Sequence, residues 1–134
     1  MLADLDPKIR IPDVLAEYLE WEPQTTEEKA AGLVLALHRR WLNGAFETTI
    51  SNLRAVDISV DACVEAYVRL GLSEAAGLVD RASQRVSADW DDLDEQYEQL
   101  THGGGEADAV EAAVIRYAKS HLPAFSGADA ILRR

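Results

Sequence analysis

Helical spacing of apolar residues predicts an all-α fold, a single compact bundle of about six to seven helices with no significant sheet. Three observations carry this. Apolar residues recur three and four positions apart through most of the chain. Several segments open on a serine or threonine cap and close on a glycine. No stretch shows the strict alternation of a half-buried strand. The 134 residues suit one domain over 1–134, and an apolar fraction of 48% is enough for one core.

The first helix opens at Ile11-Pro12-Asp13, with Val14, Leu15, Tyr18 and Leu19 as its apolar side and Trp21 and Pro23 at its end. Thr25 with Glu28 three residues on forms a capping box for the second helix. Ala30, Leu33, Val34, Leu37 and Trp41 make its inner stripe, and Asn43-Gly44 is a stop. A short helical segment, Phe46 to Ile50, precedes a loop over Ser51 to Asp57. Ser59 caps a helix carrying Cys63, Ala66, Tyr67 and Leu70, closed by Gly71. Ser73 caps the next, with Ala75, Leu78, Val79, Ala82 and Val86 facing inward. A helix over 90–100 then places Trp90, Leu93, Tyr97 and Leu100 in one stripe. Gly103-Gly104-Gly105 is a flexible loop. The last main helix, over 106–121, has Val110, Ala113, Val114, Tyr117 and Ala118 as its core stripe and ends before Pro123. The tail after Phe125, residues 126–134, is either one more helical turn or loose.

Charge is distributed unevenly. The net charge is -11, from 24 acids and 13 bases. Residues 89–111 hold nine of the acids and no lysine or arginine: Asp89, Asp91, Asp92, Asp94, Glu95, Glu98, Glu106, Asp108 and Glu111. Exposed helices ordinarily mix both signs, so a base-free stretch suggests a binding surface for a basic protein. Within the helix over 90–100, Asp91, Asp94, Glu95 and Glu98 share a face beside the apolar stripe, which would present a carboxylate row to water. Their axial separations are about 4.5–6 Å, comparable with the phosphate spacing along one DNA strand, about 3.4 Å of axis. The start of the last helix, and Glu17, Glu20, Glu22, Glu27 and Glu28 from the N-terminal region, are candidates to lengthen the array. Direct nucleic-acid binding is excluded, because it depends on lysine and arginine neutralising phosphates. Anionic membrane surfaces would repel the chain, and no apolar run reaches the roughly 18–20 residues of a membrane span. The N-terminal residues lack the basic start and apolar run of a secretion signal, so the expected location is the cytoplasm.

Signals for catalysis and cofactors are weak. Cys63 is the only cysteine, which excludes an internal disulfide, and it lies on an apolar stripe as a core residue. His38, His102 and His121 share no metal-ligand spacing with it. Asp91-Asp92-x-Asp94-Glu95 lacks the alternation and central glycine of a calcium loop. There is no nucleophile elbow, P-loop or dinucleotide fingerprint. His38-Arg39-Arg40 complements the negative end of its helix. Trp41, Phe46, Trp90 and Tyr97 are core anchors. The expectation is no catalytic residue, no metal and no cofactor.

Trp41-Leu42-Asn43-Gly44-Ala45-Phe46 with Asn52, then Glu65 through Gly71, Ala75-Ala76-Gly77-Leu78, Leu93-Asp94-Glu95-Gln96-Tyr97 and finally Phe125 form an ordered set. Over residues 36–125 the chain resembles the bacterial DNA-mimic protein domain family, all-helical proteins many of which have no assigned function. In that family the first of these helices ends in Asn-Gly-Gly-Phe. Here Ala45 replaces the second glycine, and Thr48, Thr49 and Ile50 stand where the family has glutamine and aromatics. The resemblance implies a helical fold, a homodimer and, in the namesake branch, a carboxylate surface that imitates DNA. Together with the charge pattern it leads to an acidic protein-binding module, not an enzyme, that acts as a DNA mimic on a bacterial DNA-binding protein or transcription factor. An immunity or antitoxin-type inhibitor of a basic toxin or nuclease would use the same electrostatics, and a small enzyme with an unrecognised site is the third alternative.

Overall fold

The computed structural model describes residues 14–16, 19, 25–84, 90–103 and 108–128. Among them the chain forms α1 (Thr26–Ala55), α2 (Val60–Arg69), α3 (Ser73–Ser83), α4 (Trp90–His102), α5 (Ala109–Ser120) and a 3-10 segment, Leu122–Ala128, with no strand. The fold is an all-α bundle. Residues 14–16 and 19 are also helical, and they bury Leu15 and Leu19.

Helix α1 is the spine, in contact with every other named element. It begins with the expected capping box. The Glu28 amide donates to Thr25 Oγ1 at 3.1 Å, and the Thr25 amide donates to Glu28 Oε1 at 3.1 Å. Ala30, Val34, Leu37 and Trp41 are buried along its inner side, and Leu33 is half-buried.

The break foreseen at Asn43-Gly44 falls one residue later. Ala45 adopts φ 60° and ψ -176°, and helical geometry resumes at Phe46. The second limb then runs to Ala55, so the loop expected from Ser51 is helix for five residues more. The reason is legible afterwards. Phe46, Ile50 and Leu53 continue a helical period, and all three are buried beneath a polar face of Ser51, Asn52 and Arg54.

Ser59 Oγ accepts from the Ala62 amide at 3.2 Å and caps α2, while Gly71 ends the connection with φ 81°. Ser73 is the first residue of α3 and not its cap; Leu72 holds the cap position without a side-chain hydrogen bond. Ala75, Leu78, Val79 and Ala82 face inward as expected, and Val86 lies outside the described residues. Cys63 is fully buried. Burial pushes its thiol up to about 11, partly opposed by the charge of Arg40.

The bundle closes around aromatic rings. Tyr97 of α4 packs against Trp41 and Phe46 of α1 with centroid separations of 4.6 and 5.1 Å. Two donors tie the C-terminal end of α3 to its neighbours. The Trp90 indole donates to the Ala82 carbonyl at 3.3 Å, and Arg54 donates to the Ser83 carbonyl at 2.9 Å. The last helix starts later than expected, at Ala109 with Asp108 as its cap. No described helix is long and apolar enough to cross a membrane.

Candidate functional site

Helix α4 sorts its acids onto two sides. Asp91, Asp92, Glu95 and Glu98 are exposed. Asp92 accepts from the Gln96 amide group at 2.9 Å on the same outer surface. With a rise of 1.5 Å per residue, Asp91, Glu95 and Glu98 occupy about 10 Å of helix axis. The opposite face buries Leu93 and Tyr97. The carboxylates therefore stand on a helix whose rotation is fixed by core side chains.

Asp94 departs from the row in which the sequence placed it. It is half-buried, and its Oδ1 accepts two hydrogen bonds from α1: one from the Trp41 indole at 2.8 Å and one from the Phe46 amide at 2.9 Å. In an unbroken helix that amide would donate to the Leu42 carbonyl. Asp94 thus substitutes for the turn that the kink interrupts. The side chain caps the second limb of α1 from outside the helix, as an N-cap aspartate would from within.

Asp108 and Glu111 are also turned inward. Asp108 Oδ1 accepts from the Glu111 amide at 3.0 Å and caps α5, while its Oδ2 lies 2.7 Å from His38 Nε2 and 3.5 Å from His102 Nε2. Glu111 is buried. Asp89 and Glu106 lie outside the described residues, as do Glu17, Glu20 and Glu22. Glu28 is buried in its capping box, and Glu27 sits 3.7 Å from Arg69, so neither lengthens the exposed row.

A network that the sequence reading missed runs inward from Asp108. His38, expected to complement a helix end, is fully buried. Its Nδ1 is 2.8 Å from Tyr97 Oη, which is 2.6 Å from Tyr67 Oη. An ionised Asp108 only accepts, so His38 Nε2 donates. A neutral imidazole takes the Tyr97 hydrogen at Nδ1, a charged one donates to the Tyr97 oxygen, and either phenol can donate to the other.

Burial raises the Asp108 carboxyl, but hydrogen bonds from His38 and the Glu111 amide, with the charges of both histidines, outweigh it and leave the group below its ordinary value. Both phenols are shifted upward, chiefly by burial. The signal that could have found this network is the placement of His38 on the same helical face as Val34, Leu37 and Trp41.

One groove borders these features. About 520 Å³ in volume, it runs between the kink of α1 and the last turns of α4. Trp41, Leu42 and Asn43 form one wall, and Glu98 and His102 the other. Leu42 is 46% exposed there, one of three exposed large apolar side chains among the described residues. Glu98 belongs both to the acidic row and to the groove. Among the described residues, no group of three or more His, Cys, Asp and Glu side chains could hold a metal ion.

Four of the residues singled out in the sequence for their order meet in this region. Trp41 and Phe46 from one segment join Asp94 and Tyr97 from another, through the two hydrogen bonds to Asp94 and the ring contacts to Tyr97. Comparison with protein-family models, with characterised proteins and with solved structures finds no match.

Proposed function

We propose that this chain is an acidic binding module, not a catalyst, and that the exposed face of α4 engages a basic, DNA-binding protein in place of DNA. The observation that carries the reading is the pairing of exposure with rigidity on α4. Asp91, Asp92, Glu95 and Glu98 face solvent, while Asp94 and Tyr97 tie the same helix to α1 and Leu93 is buried. A surface that only confers solubility needs charge but no fixed spacing. A DNA mimic needs both, because its partner's cations are themselves set at phosphate spacing.

The exposed row is short, equivalent to about three phosphates of one strand. A second copy of the chain would extend it, in keeping with the homodimer that the resemblance to the DNA-mimic family implies. A cytoplasmic location fits such a partner. The buried His38–Asp108 pair is read as structural, since His38 is sealed from solvent.

The test is affinity capture from native cell extract, eluted in a salt gradient, followed by competition with duplex DNA. The expected partner is basic, binds DNA, elutes at moderate salt and is displaced by DNA. Loss of capture in a chain carrying D91N, D92N and E95Q together is the matching result. A partner that is neither basic nor a nucleic-acid binder would sink the proposal.

A further inference from the structure

We infer that the groove between the kink of α1 and the end of α4 seats an arginine side chain of the basic partner; this rests on the acidic-face reading above and specifies its anchor point. Two negative helix ends converge on the groove, and the positive end of the second limb of α1, which starts at the same kink, is already met by Asp94. The first limb of α1 terminates there at Ala45, and α4 terminates at His102. Each end concentrates partial negative charge on its last carbonyls. At the first of these ends the Phe46 amide, the usual donor to the Leu42 carbonyl, is bonded to Asp94. Glu98 adds the one full charge among the carboxylates lining the groove. A cation is therefore favoured over an anion.

Shape and chemistry select among cations. A metal ion would find a single carboxylate in an open groove, and no metal cluster exists among the described residues. An arginine side chain fits better on two counts. Its methylene stem can lie on Leu42, which is 46% exposed. Its flat guanidinium carries five donors in a rigid fork, which can serve Glu98 and a backbone carbonyl at once. A lysine ammonium is a compact point charge and gains less from acceptors on separate walls. The groove opens beside the exposed carboxylates, so a basic segment crossing α4 would bring its neighbouring cations over Glu95 and Asp91.

The experiment is a titration of the full chain with an alternating arginine–glycine peptide and its lysine–glycine counterpart, by calorimetry and by NMR of the Trp41 indole N–H. The arginine peptide should bind roughly fivefold tighter, the equivalent of about one further hydrogen bond, ~1 kcal/mol, and should shift the Trp41 resonance. E98Q should erase that preference, while D92N should weaken both peptides and keep it. Equal salt-sensitive binding of the two peptides, or equal loss of the preference in D92N and E98Q, overturns the arginine seat and leaves the acidic-face reading standing. Failure of both peptides to bind overturns both.

Discussion

Replacing Ala45 with glycine should stabilise the protein. Ala45 has φ 60° and ψ -176°, a conformation in which a Cβ crowds the flanking backbone and which glycine adopts freely. Holding a residue with a side chain there costs on the order of 1–3 kcal/mol. Glycine gives back about 0.4–1 kcal/mol of this through the greater freedom of its unfolded chain. The difference is about 1 kcal/mol in favour of the variant. For a chain of 134 residues that corresponds to a rise in Tm of about 3–5 °C. The neighbouring glycine provides the opposite control. A Cβ on Gly44 would lie 2.8 Å from Thr48 Cβ and 2.9 Å from its Cγ2. Thr48 Cβ is fixed to the backbone and cannot swing aside, so G44A should lose about 1–3 kcal/mol. Both variants can be measured by urea unfolding and by thermal melting followed by circular dichroism. An A45G protein no more stable than the parent would refute the account of the kink, whatever G44A did.

Asp94→Ala should cost about 2–3 kcal/mol, since it leaves the Trp41 indole and the Phe46 amide without their acceptor; D94N, which keeps the acceptor, should lose less, as urea midpoints will tell. Because the Asp108 carboxyl titrates below its ordinary value of 3.8 in the folded state, its contribution is complete above that value and fades as pH falls through the folded value. Stability measured from about pH 5 downward should therefore drop less steeply in D108N than in the parent, and identical slopes would contradict the His38–Asp108 pairing. Cys63, with its thiol raised to about 11, should react with a thiol reagent at neutral pH only after unfolding; rapid labelling of the native protein would contradict its burial.

Much of the architecture was legible because local signals and tertiary packing agree. The Thr25–Glu28 box, the Ser59 cap and the turn at Gly71 are set by a few neighbouring atoms, and the apolar stripes of α2 and α3 follow one period. The second limb of α1 was read too short because Asn52 and Arg54 look like loop residues, while its stability comes from burying Ile50 and Leu53. The acidic face was only partly legible, for a different reason. Period alone puts Asp94 beside Asp91 and Glu98, and nothing local reveals that α1 breaks opposite it and supplies two donors. Asp108 and His38 are 70 positions apart, and only the docking of α5 on α1 makes them a pair. Partners that distant in sequence leave no trace in spacing.

The division of the acids also decides how the proposed function can be tested without disturbing the fold. Asp94 and Asp108 each meet identified donors, so removing either carboxylate exposes an unmet hydrogen bond as well as a change of charge. A loss of partner binding in D94A would not separate recognition from a displaced α4. Asp91, Glu95 and Glu98 are exposed, and none of them holds another element in place. Amide substitutions at those positions change charge with little change in shape and should move stability by no more than about 0.5 kcal/mol. The triple variant D91N/E95Q/E98Q should therefore melt with the parent while its partner affinity and its salt dependence both fall. If its affinity survived intact while that of the structurally disruptive D94A collapsed, recognition would reside in the shape around the kink and not in the carboxylate row.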